Sequence, residues 1–404
     1  MAQRAKVLRL PIRAPLVQFG ERVIARAPVD GPTAQEVARL MLDPRRFFTG
    51  RRLKWYSSIA PIWFGVKAMV DAGMALDEVL HPQHRRQPIK EPTFIFANAR
   101  SGTTLLHRLM SLDDERFVAP KLAESLLPAV TWHRTFQALG RVDRLLGGPF
   151  HRGVEYVNDH YLNGWEGIHE LRLDKEEEDE GVWLWPMLTP TITLLFTDID
   201  RLWRSLWLDR LEPEARARFM AYYESAIQRF LYAKGGDRSY LNKNVIFTHR
   251  VRSVYEKFPD SRFVYVVRHP YDALGSMLQM WYVAWAAHSP DLAKDSPPSR
   301  AMGQLAIDYY RYALDARAFI PPEQFHVVRF DELVVDPKRA IEGIYDHFGM
   351  PMTDRYRGRL DEATRNAAQF KSRGHQYTLE EFGLTRDEVY RQLRDLFDEF
   401  GYEP

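Results

Sequence analysis

Cysteine is absent from all 404 residues, which excludes disulfides, thiolate metal sites and a cysteine nucleophile, and leaves the cytoplasm as the default compartment. An excess of charge of either sign is also missing. Lys and Arg number 56 against 54 Asp and Glu, so nothing in the net charge points to nucleic acid as a partner. The amino end, "MAQRAKVLRLPIRAPLVQFGERV", is basic, but Pro11 and Pro15 break it, and it lacks the apolar run and small-residue cleavage site of an export signal. The longest apolar region starts at Trp55 and carries Pro61, Lys67 and Asp71, so it is expected to fall short of a membrane span. Its expected form is an amphipathic helix packed on the domain, with peripheral contact to a bilayer as the lesser alternative. Internal repeats and low-complexity segments are absent too.

What is present suits a large globular core: 45% of residues are hydrophobic and 13% aromatic. Residues 1–90 read as a helical amino-terminal extension that ends in the proline- and charge-rich "HPQHRRQPIKEP". Residues 91–404 read as one domain with a helical insertion around 120–240. Within it, "FIFANARSGTTLLHRLM" gives strand, loop and helix, "RFVYVVRHP" a second strand, and "FHVVRF" a third before the helical "DELVVDPKRAIEGIYDHFGM". Strands alternating with helices predict an α/β fold, a parallel sheet between helical layers, with ligands at the carboxyl ends of the strands.

The loop "ANARSGTT" has no match to GxxxxGK[ST], which a nucleotide kinase needs to reach terminal phosphates and Mg²⁺. It still suits an anion. Gly102 lets backbone approach, Thr103 and Thr104 offer hydroxyls at a helix start, and Arg100 supplies fixed charge. A second group, Arg268 at a strand end and Ser276 in the helix that follows, can converge on a second anion.

Together, "ARSGTTLLHRLM", "LNKNVIFTHRV", "FPDSRFVYVVRHPYDALGSM", "VRFDELVVDP" and "KSRGHQYTLEEFGL" resemble the ordered motifs of the PAPS-dependent sulfotransferase family, in particular its bacterial and Golgi-like branch. The resemblance implies a P-loop NTPase-like fold and 3′-phosphoadenosine-5′-phosphosulfate (PAPS) as donor, with no metal. It places Arg100, Ser101, Gly102, Thr103 and Thr104 on the 5′-phosphosulfate, with Arg100 where cytosolic members carry lysine. Arg268 and Ser276 fall on the 3′-phosphate, joined by a basic loop at Lys371, Arg373 and Gly374. Lys243 matches the lysine that approaches the bridging oxygen. The transferred group is close to neutral SO₃, so fewer cations are needed around it than around a phosphoryl group.

The acceptor hydroxyl, or less readily an amine, must lose a proton. Where cytosolic members place histidine two residues after the lysine, this chain has Val245. The Golgi-like branch uses a glutamate about twenty residues past the loop, which implies Glu124 as the general base here. Glu170 with His169 and the run Glu176–Glu180 compete, although that run reads by default as a solvated acidic face. His249 reads as structural or surface. Trp183, Trp185, Trp203 and Trp281 either line an apolar acceptor pocket or belong to the core. The acceptor class is a small molecule, carbohydrate or lipid-like compound. A P-loop nucleotide kinase and a PAP-binding protein without catalysis are the alternatives, and the oligomeric state is left open.

Overall fold

The computed structural model describes residues 24–43, 50–159, 172–234, 236–365 and 377–404. The strands are β1 (Thr93–Ala97), β2 (Phe117–Val118), β3 (Ser239–Asn244), β4 (Arg262–Val267) and β5 (Phe325–Arg329). They pair in parallel in the order β2-β3-β1-β4-β5, with Ile95 opposite both Lys243 and Val264. The order reverses at β1. In an open parallel sheet that reversal leaves a crevice beyond the carboxyl ends of the central strands.

The α-helices of five residues or more are α1 (Gly31–Leu42), α2 (Gly50–Leu80), α3 (Thr103–Ser111), α4 (Leu122–Leu126), α5 (Val130–Leu145), α6 (Pro149–Val157), α7 (Glu180–Leu184), α8 (Pro213–Lys234), α9 (Val251–Lys257), α10 (Pro270–His288), α11 (Pro297–Asp315), α12 (Phe330–Val335), α13 (Pro337–His347), α14 (Asp354–Thr364) and α15 (Arg386–Phe400). Every residue of β1 is buried, because helices cover both faces of the sheet. Side chains alternate across the pleat. Phe94 and Phe96 enter a large core with α8, α10 and α11, while Ile95 and Ala97 enter a smaller one with α3, α13 and α14. Phe247 stacks on Phe94 with ring centres 5.2 Å apart, filling the large core against β1.

The apolar region from Trp55 departs from expectation. Helix α2 continues through Pro61 for 31 residues, about 46 Å at the α-helical rise, and by length and composition is able to cross a membrane. The charges that argued against this turn inward. Lys67 pairs with Asp71 one helical turn on, at 2.5 Å, and Asp71 also accepts the Ala27 N–H. Asp77 is fully buried against Arg229 of α8 at 3.0 Å and accepts the Val130 and Thr131 N–H groups, capping α5 from a neighbouring helix. These bonds fasten α2 along the side of the protein.

Candidate active site

After Ala97 the chain turns through Asn98–Gly102 into α3. Arg100 and Gly102 both take positive φ, 70° and 78°. For arginine that conformation is strained and persists only where its surroundings impose it. Gly102 is required twice, by its φ and because a Cβ there would lie 2.9 Å from the Phe330 ring. Left-handed residues alternating with ordinary ones at a helix start form an anion-binding concavity. Ser101 faces the same condition from its side chain: it is 1% exposed, and its hydroxyl lacks a hydrogen-bond partner among the described residues. A buried orphan hydroxyl costs stability unless a ligand satisfies it.

Arg268 follows β4 and donates from Nη1 to the Arg100 carbonyl at 2.6 Å. Its guanidinium lies over Phe330, 4.4 Å from the ring centre, and its buried Nε has no partner among the described residues. Ser276 of α10 accepts from Arg100 Nε at 3.2 Å. The two anion-binding groups of the sequence are therefore contiguous. Burial, and then the neighbouring Arg268 charge, lower the Arg100 pKa, as expected where two cations share a cleft. Lys371, Arg373 and Gly374 lie outside the described residues. The chain resumes at Tyr377, whose carbonyl packs so closely on Gly275 that a Cβ there would approach it to 2.7 Å, directly beside Ser276.

Lys243 lies near the end of β3, opposite Ile95. Read alone, it would be a surface lysine, yet it is 1% exposed. Its ammonium lies 3.0 Å from Glu178 and 3.5 Å from Glu177. Burial works against its charge, but these two carboxylates outweigh it and raise the pKa. The nearby His107 of α3 is driven down to about 3 by burial, then by Lys243 and Arg108, and stays neutral.

Residues 92–354 match the profile of the sulfotransferase family. The chain belongs to that family. The ω-hydroxy-β-dihydromenaquinone-9 sulfotransferase Stf3 of Mycobacterium bovis is 24% identical over 318 residues, covering 77% of this chain and 75% of the relative. The solved sulfotransferase STF9 of Mycobacterium avium superposes with a TM-score of 0.72 at 19% identity, over 95% of this chain and 98% of its own. STF1 of Mycobacterium tuberculosis gives 0.57 at 20% identity, over 93% and 100%. The fold is thus the α/β sulfotransferase fold expected from the sequence, with helices before the first strand.

In this sulfotransferase the run Glu176–Glu180 is a solvated face only at Glu176. Glu177 and Asp179 are buried because Lys243, Asn244 and Arg250 need partners at the end of β3. Asp179 accepts from Asn244 at 2.9 Å, from Arg250 at 3.1 Å and from the Tyr223 hydroxyl. Burial, opposed by Arg250, pushes Glu180 up to about 7. One signal was available: "LNKN" reads as a strand end with three polar residues in a row, and buried polar residues require partners.

Glu124 is the third residue of α4, where it caps the helix by accepting the Lys121 N–H at 2.9 Å and pairs with Lys234 at 2.5 Å. It borders a small void with Phe230 and Tyr240. Tyr240 projects into the large core, on the sheet face opposite Lys243. Glu170 and His169 lie outside the described residues. His249 is fully buried beside Arg250, and burial, then that charge, hold its pKa well below the usual histidine range, in keeping with a structural role. Trp183, Trp185 and Trp281 belong to the core, and Trp203 is exposed. Trp281 and Val245 also border a narrow apolar cleft with Asn98, Met277, Met302 and Tyr309.

Proposed function

We propose that this sulfotransferase moves a sulfuryl group from PAPS to the hydroxyl of an acceptor with an apolar body. The observation that carries this reading is the contiguous set of Arg100, Ser101, Arg268 and Ser276 around a loop without a P-loop lysine. The orphan Ser101 hydroxyl and Arg268 Nε supply donors for a phosphorylated nucleotide, so the residues fit PAPS. PAPS brings the activated S–O bond. Residues 100–104 hold its 5′ end, and Arg268, Ser276 and the Lys371–Gly374 loop hold its 3′-phosphate.

In the transfer a bond forms between the acceptor oxygen and sulfur while the bond from sulfur to the phosphate oxygen breaks, and the acceptor proton passes to a base. Lys243 stabilises charge on the departing oxygen. Glu124 is the base by family resemblance, but both its oxygens are engaged in capping and in the Lys234 pair. Glu178 meets Lys243 through Oε1, and its position beside the departing oxygen, not the ion pair itself, favours it for the role. The cleft beside Val245 is too narrow as it stands for an acceptor, but its walls, Met277, Trp281 and Met302, are apolar and favour an apolar body once it widens. A relative named for a menaquinone-derived acceptor supports the same class.

Calorimetry with PAP and AMP tests the donor. Charge-assisted bonds to phosphate contribute about 1.5–3 kcal/mol each, so PAP should bind at least tenfold more tightly than AMP and Arg268→Ala should remove most of the difference. Equal affinities in the unmodified protein would sink the reading.

A further inference from the structure

We infer that the outer surface of α2, with the adjoining α5–α6 corner, docks this protein on an anionic phospholipid bilayer, lying in the interface without crossing it. From Ser57 to Leu80 every charged side chain of α2 is turned inward or paired within the protein, and the exposed positions are uncharged. Ile62 and Phe64 are 64% and 66% exposed, and Val79 is 78% exposed. Such an apolar helical face is costly in water. Helix α5 packs against α2, with Trp132 donating to the Met69 carbonyl at 2.8 Å. Where α5 turns into α6, "LLGGPF" presents Leu145 at 85% exposure, together with Leu146 and Phe150.

The charge around these apolar surfaces selects the occupant. In α2, α5 and α6 the exposed charged residues are Arg51, Lys54, Arg134, Arg141, Arg144 and Arg152, with His151 beside them; all are basic, and the exposed acid nearest in the chain is Asp159, two residues past α6. Asp143 is buried, accepting the Phe150 and His151 N–H groups, and Glu155 pairs with Arg172. Apolar side chains fringed by arginines match an interface of acyl chains and anionic headgroups. A second copy of the chain fits less well, since a symmetric contact would bring one basic fringe against another. Crossing the bilayer is disfavoured by the Asp77–Arg229 and Glu78–Arg229 bonds, which would have to break in a medium unable to replace them.

The inference stands apart from the donor and acceptor assignments. Its test is flotation of the full chain with phosphatidylcholine vesicles, with and without phosphatidylglycerol. The protein should float with the anionic vesicles and much less with neutral ones. Ile62→Glu/Phe64→Glu should reduce binding by tenfold or more, and Arg141→Ala/Arg144→Ala by roughly thirtyfold on anionic vesicles only. Both variants should keep PAP binding and an unchanged thermal transition, which separates lost docking from lost folding and from failure of the donor site. No binding to anionic vesicles, or binding that neither variant alters, would overturn the inference. So would a concentration-dependent dimer in light scattering that Ile62→Glu/Phe64→Glu dissociates while the unmodified protein stays off vesicles.

Discussion

Lys243 and Glu178 sit 3.0 Å apart at the end of β3, and the duties proposed for them can be told apart by what rescues their loss. Lys243→Ala removes the cation from the departing oxygen, so kcat should fall by about 10²–10³, least for a donor with a better leaving group. Glu178→Gln keeps the shape and removes the base, so kcat should fall by about 10²–10⁴ with PAP affinity nearly unchanged, and a more acidic acceptor hydroxyl should restore part of it. Glu124→Gln should instead lower thermal stability and leave kcat within a few-fold. The reverse pattern, with kcat lost in Glu124→Gln and kept in Glu178→Gln, would return the base to Glu124. A second expectation concerns His107. Its folded pKa is about 3, below the unfolded value. Between the two values the unfolded chain carries a proton that the folded chain lacks, so stability is lost as pH falls through this window. Near its middle the contribution is about 1.4 kcal/mol per pH unit. Urea unfolding of the protein and of His107→Asn between about pH 6 and pH 4 should show a shallower pH slope in the variant, and parallel slopes would contradict the assignment. Arg100, Gly102, Arg268 and Ser276 were legible because they stand next to strand and helix signals in the chain. The partner of Lys243 was not, because Glu178 lies 65 residues away and reaches it only through the fold.

At the scale of elements, β1 and β4 were legible because a strand buried on both faces reads as a short apolar run closed by a turn, and the half-buried edge strand β5 because of its adjacent valines. The two-residue β2 gives no such signal. Helix α2 shows the opposite difficulty. Its charges at 67, 71, 77 and 78 share a stripe that looks like a solvent face until Arg229 of α8 and the start of α5 are seen to lie against it. The helix departs from the usual surface pattern in turning its charges inward beside Val70 and Met74 while leaving uncharged, largely apolar residues outside. Its stability should follow. Asp77→Ala leaves Arg229 with one fewer carboxylate and α5 uncapped, at a cost of about 3–5 kcal/mol, whereas the exposed Ile62→Ser should fall within about 0.5 kcal/mol of the unmodified protein. Equilibrium urea unfolding of both variants checks this pair, and a small loss for Asp77→Ala would show that the buried network contributes little.

Across the whole molecule, the sheet reverses its order at β1, so the anion loop after β1, Lys243 on β3 and Arg268 after β4 all meet at one edge. That convergence was implied by strand alternation, although the order β2-β3-β1-β4-β5 was not, because strand neighbours depend on connections that no local pattern encodes. The narrow cleft at Val245 opens beside the same edge. The account rests on sulfuryl transfer by fixed protein charges. Its most direct measurement is the transfer of label from ³⁵S-PAPS to a long-chain primary alcohol in the presence of EDTA, set beside γ-³²P-ATP with Mg²⁺. The account predicts a sulfur-labelled acceptor formed one for one with PAP, undiminished by chelation, and no label from ATP. Phosphorus label on the acceptor, or turnover lost with EDTA and restored by Mg²⁺, would contradict it.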